Sequence, residues 1–199
     1  MKFKYVTIER EYGSGATEIA KKLSGLTNIP CYGRNILERV SYKYNVSVEN
    51  IERYEETTTN SFISSLFALS RMQDGSYDML STDGKIYIAE QNEIKELANE
   101  GPAIFIGRCA SEALKDRKNV LKVFILCSND EEKRERIKTN YGILEKDIDN
   151  TKKKIDKRRA NYYLANTSKQ WKDFSNYDLV LDSSKLGIDG CVFVLKALL

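Results

Sequence analysis

The chain has 199 residues, 41% of them hydrophobic and 31% charged, with a formal net charge of +3 and no histidine. That length suits one domain with a full core, and the charge is too small to argue for a nucleic-acid or membrane partner. The lack of histidine excludes Ser–His–Asp and Cys–His nucleophile pairs, histidine proton shuttles and histidine zinc sites; the groups that remain suffice for phosphoryl transfer, which rests on positioning and charge stabilisation.

Strand-sized apolar runs alternate with segments of helical period along the chain. Residues 4–8 read as a strand and 16–26 as a helix with Ile19, Ala20 and Leu23 on one face; 30–32 read as a brief second strand. From 35 to 74 the pattern is helical but broken, carried first by Ile36, Leu37 and Val40, then by Val48 and Ile51, then by Phe62, Ile63, Leu66, Phe67 and Leu69. A helix over 85–99 is stopped by Gly101-Pro102, and 103–106 and 120–127 read as buried strands. Ser128 is the expected N-cap of the next helix, with Glu131 completing a capping box. A long charged helix over 144–166, a last strand over 179–181 and a closing helix over 188–199 follow. Strands separated by helices predict an α/β chain with a mostly parallel sheet. The four cysteines, Cys31, Cys109, Cys127 and Cys191, form no CxxC pair and read as reduced, mostly buried side chains. No apolar run can span a bilayer, and the first residues lack a signal-peptide stretch, so a cytoplasmic location is expected.

The stretch VTIEREYGSGATEIAKKL (6–23) joins the first strand to the first helix through a glycine-bearing turn. Unpaired amides and the helix dipole make such a turn a phosphate site, and Gly13 and Gly15 would let the backbone bend around an anion; a plain tight turn fits the glycines equally. The strict GxxxxGK[ST] pattern fails, because Ala16 stands in the lysine position and Arg10 in that of the first glycine. Thr17 keeps the hydroxyl position that would bind Mg²⁺. Arg10, Lys21 or Lys22 are the cations near enough in sequence to substitute.

This stretch is similar to the opening of the cytidylate kinase-like family of P-loop proteins, whose Arg-Glu-Tyr-Gly-Ser-Gly loop also lacks the lysine. GPAIFIGRCASEAL (101–114) resembles that family's strand ending in Gly-Arg-Cys-Ala, and DKRRANYYLANTSKQWKDFSNYDLVLDSS (156–184) resembles its lid and last strand. The resemblance implies one P-loop domain over 1–199, a three-layer sandwich around a five-stranded parallel sheet. It also implies a helical acceptor-binding insertion over 33–75 and a lid over 142–170. The implied activity is ATP- and Mg²⁺-dependent phosphoryl transfer to a nucleotide or similar small acceptor; the alternative is a catalytically weak or inactive nucleotide-binding regulatory protein.

In that reading the backbone of Gly13, Ser14, Gly15, Ala16 and Thr17 cradles the donor phosphates, and Thr17 meets the metal. Arg108 emerges past Gly107 at the carboxyl end of the sheet, where ligands of open α/β sheets bind; it holds the acceptor or pairs with a surface carboxylate. Cytidylate kinases carry Gly-Arg-Asp here, and Cys109 removes the carboxylate that would read a cytosine amine. Arg39 falls where those kinases place an arginine at the monophosphate, although Gly33 replaces a common Asp; a solvated helix face is its other reading. Arg158 and Arg159 flank the apolar stripe of Ile148, Ile155 and Tyr162, placed to press on phosphates with Arg10 as catalytic cations. The rival for the basic run 152–159 is a solvated or nucleic-acid-binding face, which Asp156 and the tyrosine pair interrupt. Tyr162, Tyr163 and Trp171 are expected in the core. The hydroxyl-rich 57–65 stretch suits an acceptor pocket or helix capping.

Overall fold

Residues 103–106 are apolar throughout, and all four are buried, as a strand covered on both faces requires. This strand, β3 (Ala103–Ile106), lies beside β1 (Tyr5–Arg10), whose other neighbour is β4 (Val120–Leu126). With β2 (Cys31–Tyr32) and β5 (Leu179–Asp182) at the edges, the order is β2-β3-β1-β4-β5 and every pair is parallel. The structure, a computed structural model, describes residues 2–45, 47–49 and 82–199.

Side chains alternate across a strand, so β1 feeds two cores. Val6 and Ile8 join Ile104, Val123 and Ile125 under α1 (Ala16–Thr27) and α7 (Ser183–Leu198), which supply Ile19, Leu23, Val192 and Leu195. Tyr5 joins Phe105 and Phe124 on the opposite face. There α2 (Asn35–Tyr44), α3 (Thr82–Glu100) and α6 (Ile148–Thr167) supply Ile36, Leu37, Ile94, Leu97, Tyr162 and Tyr163. Each such buried aliphatic or aromatic side chain contributes about 1.5–3 kcal/mol relative to exposure. The result is the expected three-layer α/β sandwich. Trp171 is buried as expected, its ring edge-on to Phe124 at 5.2 Å. All four cysteines are free; Cys109, Cys127 and Cys191 are buried and Cys31 partly so.

Several boundaries differ from the sequence-based expectation. Strand β1 runs to Arg10, two residues beyond 4–8, because Glu9 and Arg10 pair in register with Phe124 and Ile125. The N-cap of α5 (Asp130–Tyr141) is Asn129 rather than Ser128. The Asn129 Oδ1 accepts from the amides of Glu131 at 3.1 Å and Glu132 at 3.3 Å, whereas the Ser128 hydroxyl lies 3.1 Å from that of Ser184. The expected 144–166 helix is a 3₁₀ turn, Glu145–Asp147, followed by α6. Helix α7 begins at Ser183 but breaks at Gly187 (φ 67, ψ 171), so the expected start at 188 marks its second segment. A four-residue helix, α4 (Ala110–Ala113), had no sequence signal. The pattern beyond 49 and the 57–65 stretch fall outside the described residues, as does much of the expected 33–75 insertion. Among the described residues no helix is long and apolar enough to cross a membrane.

Candidate functional site

The sheet order makes β1 and β3 neighbours, so the turns that follow them meet at the carboxyl edge where ligands of such sheets bind. The turn after β1 carries Gly13 (φ 75) and Gly15 (φ 78), both left-handed. Their missing side chains serve packing from behind the loop: a Cβ on Gly13 would come within 2.8 Å of Ile137 and Lys133, and one on Gly15 within 2.6 Å of Ile188. Gly15 caps α1 with no side-chain bond, which leaves the first amides of the helix available to an anion. The Ser14 hydroxyl is buried in the same turn with no hydrogen-bond partner. These donors fit a phosphate chain. Thr17 is exposed in the first helical turn and lines the depression beside the loop. No cluster of three acidic or cysteine side chains that could hold a metal ion occurs among the described residues.

Two cavities open here. A small depression of about 10 Å³ is lined by Gly13, Ser14, Gly15, Ala16 and Thr17 together with Arg10, Glu11, Tyr141 and Arg159. A larger cleft of about 200 Å³ is lined by Glu9, Arg10, Tyr12, Arg108, Cys109, Ile155, Arg158, Arg159, Tyr162 and Tyr163. Arg10 and Arg159 line both. Tyr12 lines the cleft and Tyr141 the depression, their rings 4.8 Å apart.

Helix α6 is docked against the loop. The Tyr12 amide donates to Asp156 Oδ1 at 2.7 Å, and Arg159 Nη1 donates to the Arg10 carbonyl at 2.9 Å. The guanidinium of Arg10 lies against the turn after β3, and a Cβ on Gly107 would overlap its Nη1 and stand 3.1 Å from its Cζ. Its Nε is buried without a hydrogen-bond partner. Desolvation pushes the Arg159 guanidinium down, to about 9, and repulsion from Arg10 adds to the effect. Desolvation likewise lowers Arg10, opposed by Glu9. Two cations held this close gain from any anion placed between them.

The turn Gly107-Arg108-Cys109 has three successive positive φ angles, 72, 59 and 50. Arg108 lines the cleft, and its Nη1 lies 3.0 Å from the buried Glu90 carboxylate of α3 behind it. Tyr162 donates its hydroxyl to the other Glu90 oxygen, and Gln91 Nε2 donates to the Arg108 carbonyl at 3.0 Å. Burial pushes Glu90 up from 4.5 to about 7, with the Tyr162 hydroxyl pulling the other way. The folded chain therefore holds this proton more tightly than the unfolded chain. Its contribution to stability is complete below about pH 4.5 and is lost as pH rises through about 7. Relative to Glu90→Gln, wild-type stability measured by urea unfolding is expected to decline across that window, with a slope of at most about 1.4 kcal/mol per pH unit. Parallel pH curves for the two proteins would contradict this assignment.

Of the residues singled out by sequence, the loop residues, Arg10, Arg108, Arg158 and Arg159 converge on these cavities. Arg39 does not line them: it is half-exposed on α2, paired through Nε with Glu93 and lying 3.6 Å from Glu100. The basic run divides rather than forming one face. Arg158 and Arg159 line the cleft, while Lys152 pairs with Asp130 and Asp149. Sequence reasoning missed Glu9, Glu90 and three residues that brace the loop. Arg136 of α5 donates to the Gly13 carbonyl at 2.6 Å, and Glu11 takes Lys133 at 2.8 Å and Lys172 at 2.5 Å. Period-two alternation from Tyr5 through Thr7 would have flagged Glu9 on the buried face.

A model of the cytidylate kinase-like family matches residues 5–185. No curated protein matches in sequence. Among solved structures, an uncharacterized protein from Eubacterium ventriosum is 27% identical with a TM-score of 0.71, over 98% of this chain and 97% of that one. A shikimate kinase from Bacteroides thetaiotaomicron is 13% identical with a TM-score of 0.53, over 98% of this chain and 97% of its own, a likeness of fold.

Proposed function

The chain belongs to the cytidylate kinase-like family, and on that premise we propose that it transfers the terminal phosphoryl group of ATP, with Mg²⁺, to a small anionic acceptor in the cytoplasm. The observation that carries this reading is that Arg10 and Arg159 line both the loop depression and the cleft. A phosphoryl group passing between donor and acceptor would cross the space these two guanidiniums share. When bound, the Mg²⁺–nucleotide supplies the phosphoryl group and neutralises part of its charge. The amides at the start of α1 and the Ser14 hydroxyl bind donor oxygens. Arg10 and Arg159 take the lysine's place as cations on the transferring group. Arg108 and Arg158 orient the anionic end of the acceptor, and Glu90 and Tyr162 fix the Arg108 fork in direction. Tyr12, Tyr162 and Tyr163 help exclude water.

A nucleotide-binding regulatory role is favoured by one observation: the loop depression is small, and Arg159 and Arg136 spend hydrogen bonds on the loop's own carbonyls. Calorimetry with ATP and Mg²⁺, followed by ADP release against panels of anionic acceptors, separates the two. We expect micromolar-range binding and acceptor-dependent ADP release. Binding without transfer supports the regulatory role, and no binding overturns both.

A further inference from the structure

Among the described residues lining the cleft, Glu9 is the only carboxylate, set beside four arginines. The alternation of β1 sends it to the same face as Tyr5 and Thr7, at the strand's carboxyl end and opposite Phe124. It is 7% exposed, and the open space it borders is the cleft. Trp171 Nε1 donates to its Oε2 at 3.2 Å, which fixes the orientation of the carboxyl plane. Glu9 and Arg10 both line the cleft, and Arg10 also borders the loop depression, so Glu9 shares a cavity with a cation that reaches the donor loop.

Resting on the phosphotransfer reading above, we propose that Glu9 is the general base of the reaction and that the acceptor attacks through a hydroxyl group. An ionised phosphate acceptor needs no base, and a carboxylate facing its incoming oxygen would repel it. A hydroxyl has to lose a proton as it attacks, and a carboxylate in the cavity, its proton affinity raised by burial, suits that task. Burial raises Glu9 above its usual range, with the charge of Arg10, the Trp171 bond and the charge of Arg159 opposing. The titratable and charged groups around it are Arg10, Arg108, Arg158, Arg159, Cys109, Tyr12, Tyr162, Tyr163 and Tyr177. A cleft of about 200 Å³ lies below the ~300–1,000 Å³ common for larger ligands. The acceptor class is thus a small hydroxyl compound bearing a carboxylate or phosphate for Arg108 and Arg158.

In the step, the acceptor O–H bond breaks as its proton passes to a Glu9 oxygen. The freed electron pair forms the new bond to the terminal phosphorus. The bond from that phosphorus to its bridging oxygen breaks, the bridging oxygen keeping the electrons. Glu9 then releases its proton to solvent.

Water in the cleft is itself a hydroxyl acceptor, so the test needs no knowledge of the substrate. ATP hydrolysis without acceptor is measured from pH 5 to 9 for wild type, Glu9→Gln and Glu9→Asp, beside ATP calorimetry and urea unfolding at each pH. We expect slow hydrolysis rising with pH in the wild type, a loss of about 10²-fold or more and no acidic limb in Glu9→Gln, and partial rate with the limb retained in Glu9→Asp. ATP affinity should stay within about threefold, since general-base action falls on the transfer step. Independently of turnover, the stability advantage of wild type over Glu9→Gln should shrink as pH rises, because a carboxyl raised in the folded state stabilises only while protonated. Wild-type hydrolysis rates or a retained acidic limb in Glu9→Gln, or bound ATP that the wild type never hydrolyses, overturn the proposal while leaving the nucleotide site intact. Failure of the wild type to bind ATP overturns the phosphotransfer reading beneath it.

Discussion

Replacing Arg10 with methionine is expected to lower phosphoryl-transfer turnover by about 10³-fold while weakening ATP binding by no more than about a hundredfold. The asymmetry follows from where a cation acts. A charge-assisted contact to a phosphate contributes about 1.5–3 kcal/mol to binding, whereas a cation on the transferring group stabilises charge that develops in the transition state and lowers the barrier itself. Arg10 borders both cavities, so its loss falls mainly on the transfer step. Stability should hold or rise slightly, because the substitution removes one of two mutually repelling guanidiniums and an unpartnered Nε. Initial rates, calorimetry and thermal unfolding on the same preparation check all three. Turnover within tenfold of wild type would move the lysine's role elsewhere, with Arg136 the next candidate because it already reaches the loop.

Gly107→Ala is expected to act at the same place from the opposite turn, lowering turnover by about 10²-fold. The added methyl would occupy the Arg10 guanidinium's position. That group is the far end of a flexible side chain, so it can swing away at little steric cost. The stability loss then comes mainly from alanine at φ 72, about 1–2 kcal/mol. Sub-ångström alignment of catalytic groups matters far more to rate than to folding. The double variant decides the cause: if Gly107→Ala works by displacing Arg10, adding it to Arg10→Met should reduce turnover little further. Full multiplication of the two losses would place the effect elsewhere.

The frame of the protein was legible because it is written in local patterns. The runs at 103–106 and 120–127 are apolar enough to be buried strands wherever they occur, and the alternation of strands and helices leaves few topologies. The loop and Arg108 were legible through their placement at strand ends, Arg158 and Arg159 as residues flanking the apolar stripe of a helix, and all of them through the family resemblance. What escaped depends on partners far along the chain. Glu9 reads as the end of a strand because it is charged; its burial is made possible by Trp171, 162 residues later. Arg136 and Lys133 belong to a helix charged on every side, where no periodicity marks the face that meets Gly13. The ion pair of Arg39 with Glu93, 54 residues away, has no local mark in the sequence either. The N-cap slipped by one residue because the rival hydroxyl at 128 is claimed by Ser184 of another element.

The left-handed backbone at Arg108 and Cys109 bears on what this chain is built to preserve. A branched or bulky side chain at such angles costs roughly 1–2 kcal/mol against glycine, so the most stable version of this turn would carry three glycines in a row. The protein instead keeps a long cationic side chain there, with the cost offset by Glu90, Tyr162 and Gln91. Under the proposed function, a fold that accepts a weaker turn to keep a charge beside a cavity trades thermal robustness for chemistry at that spot, and a survey of stabilising substitutions should find its richest return where that function can least tolerate it.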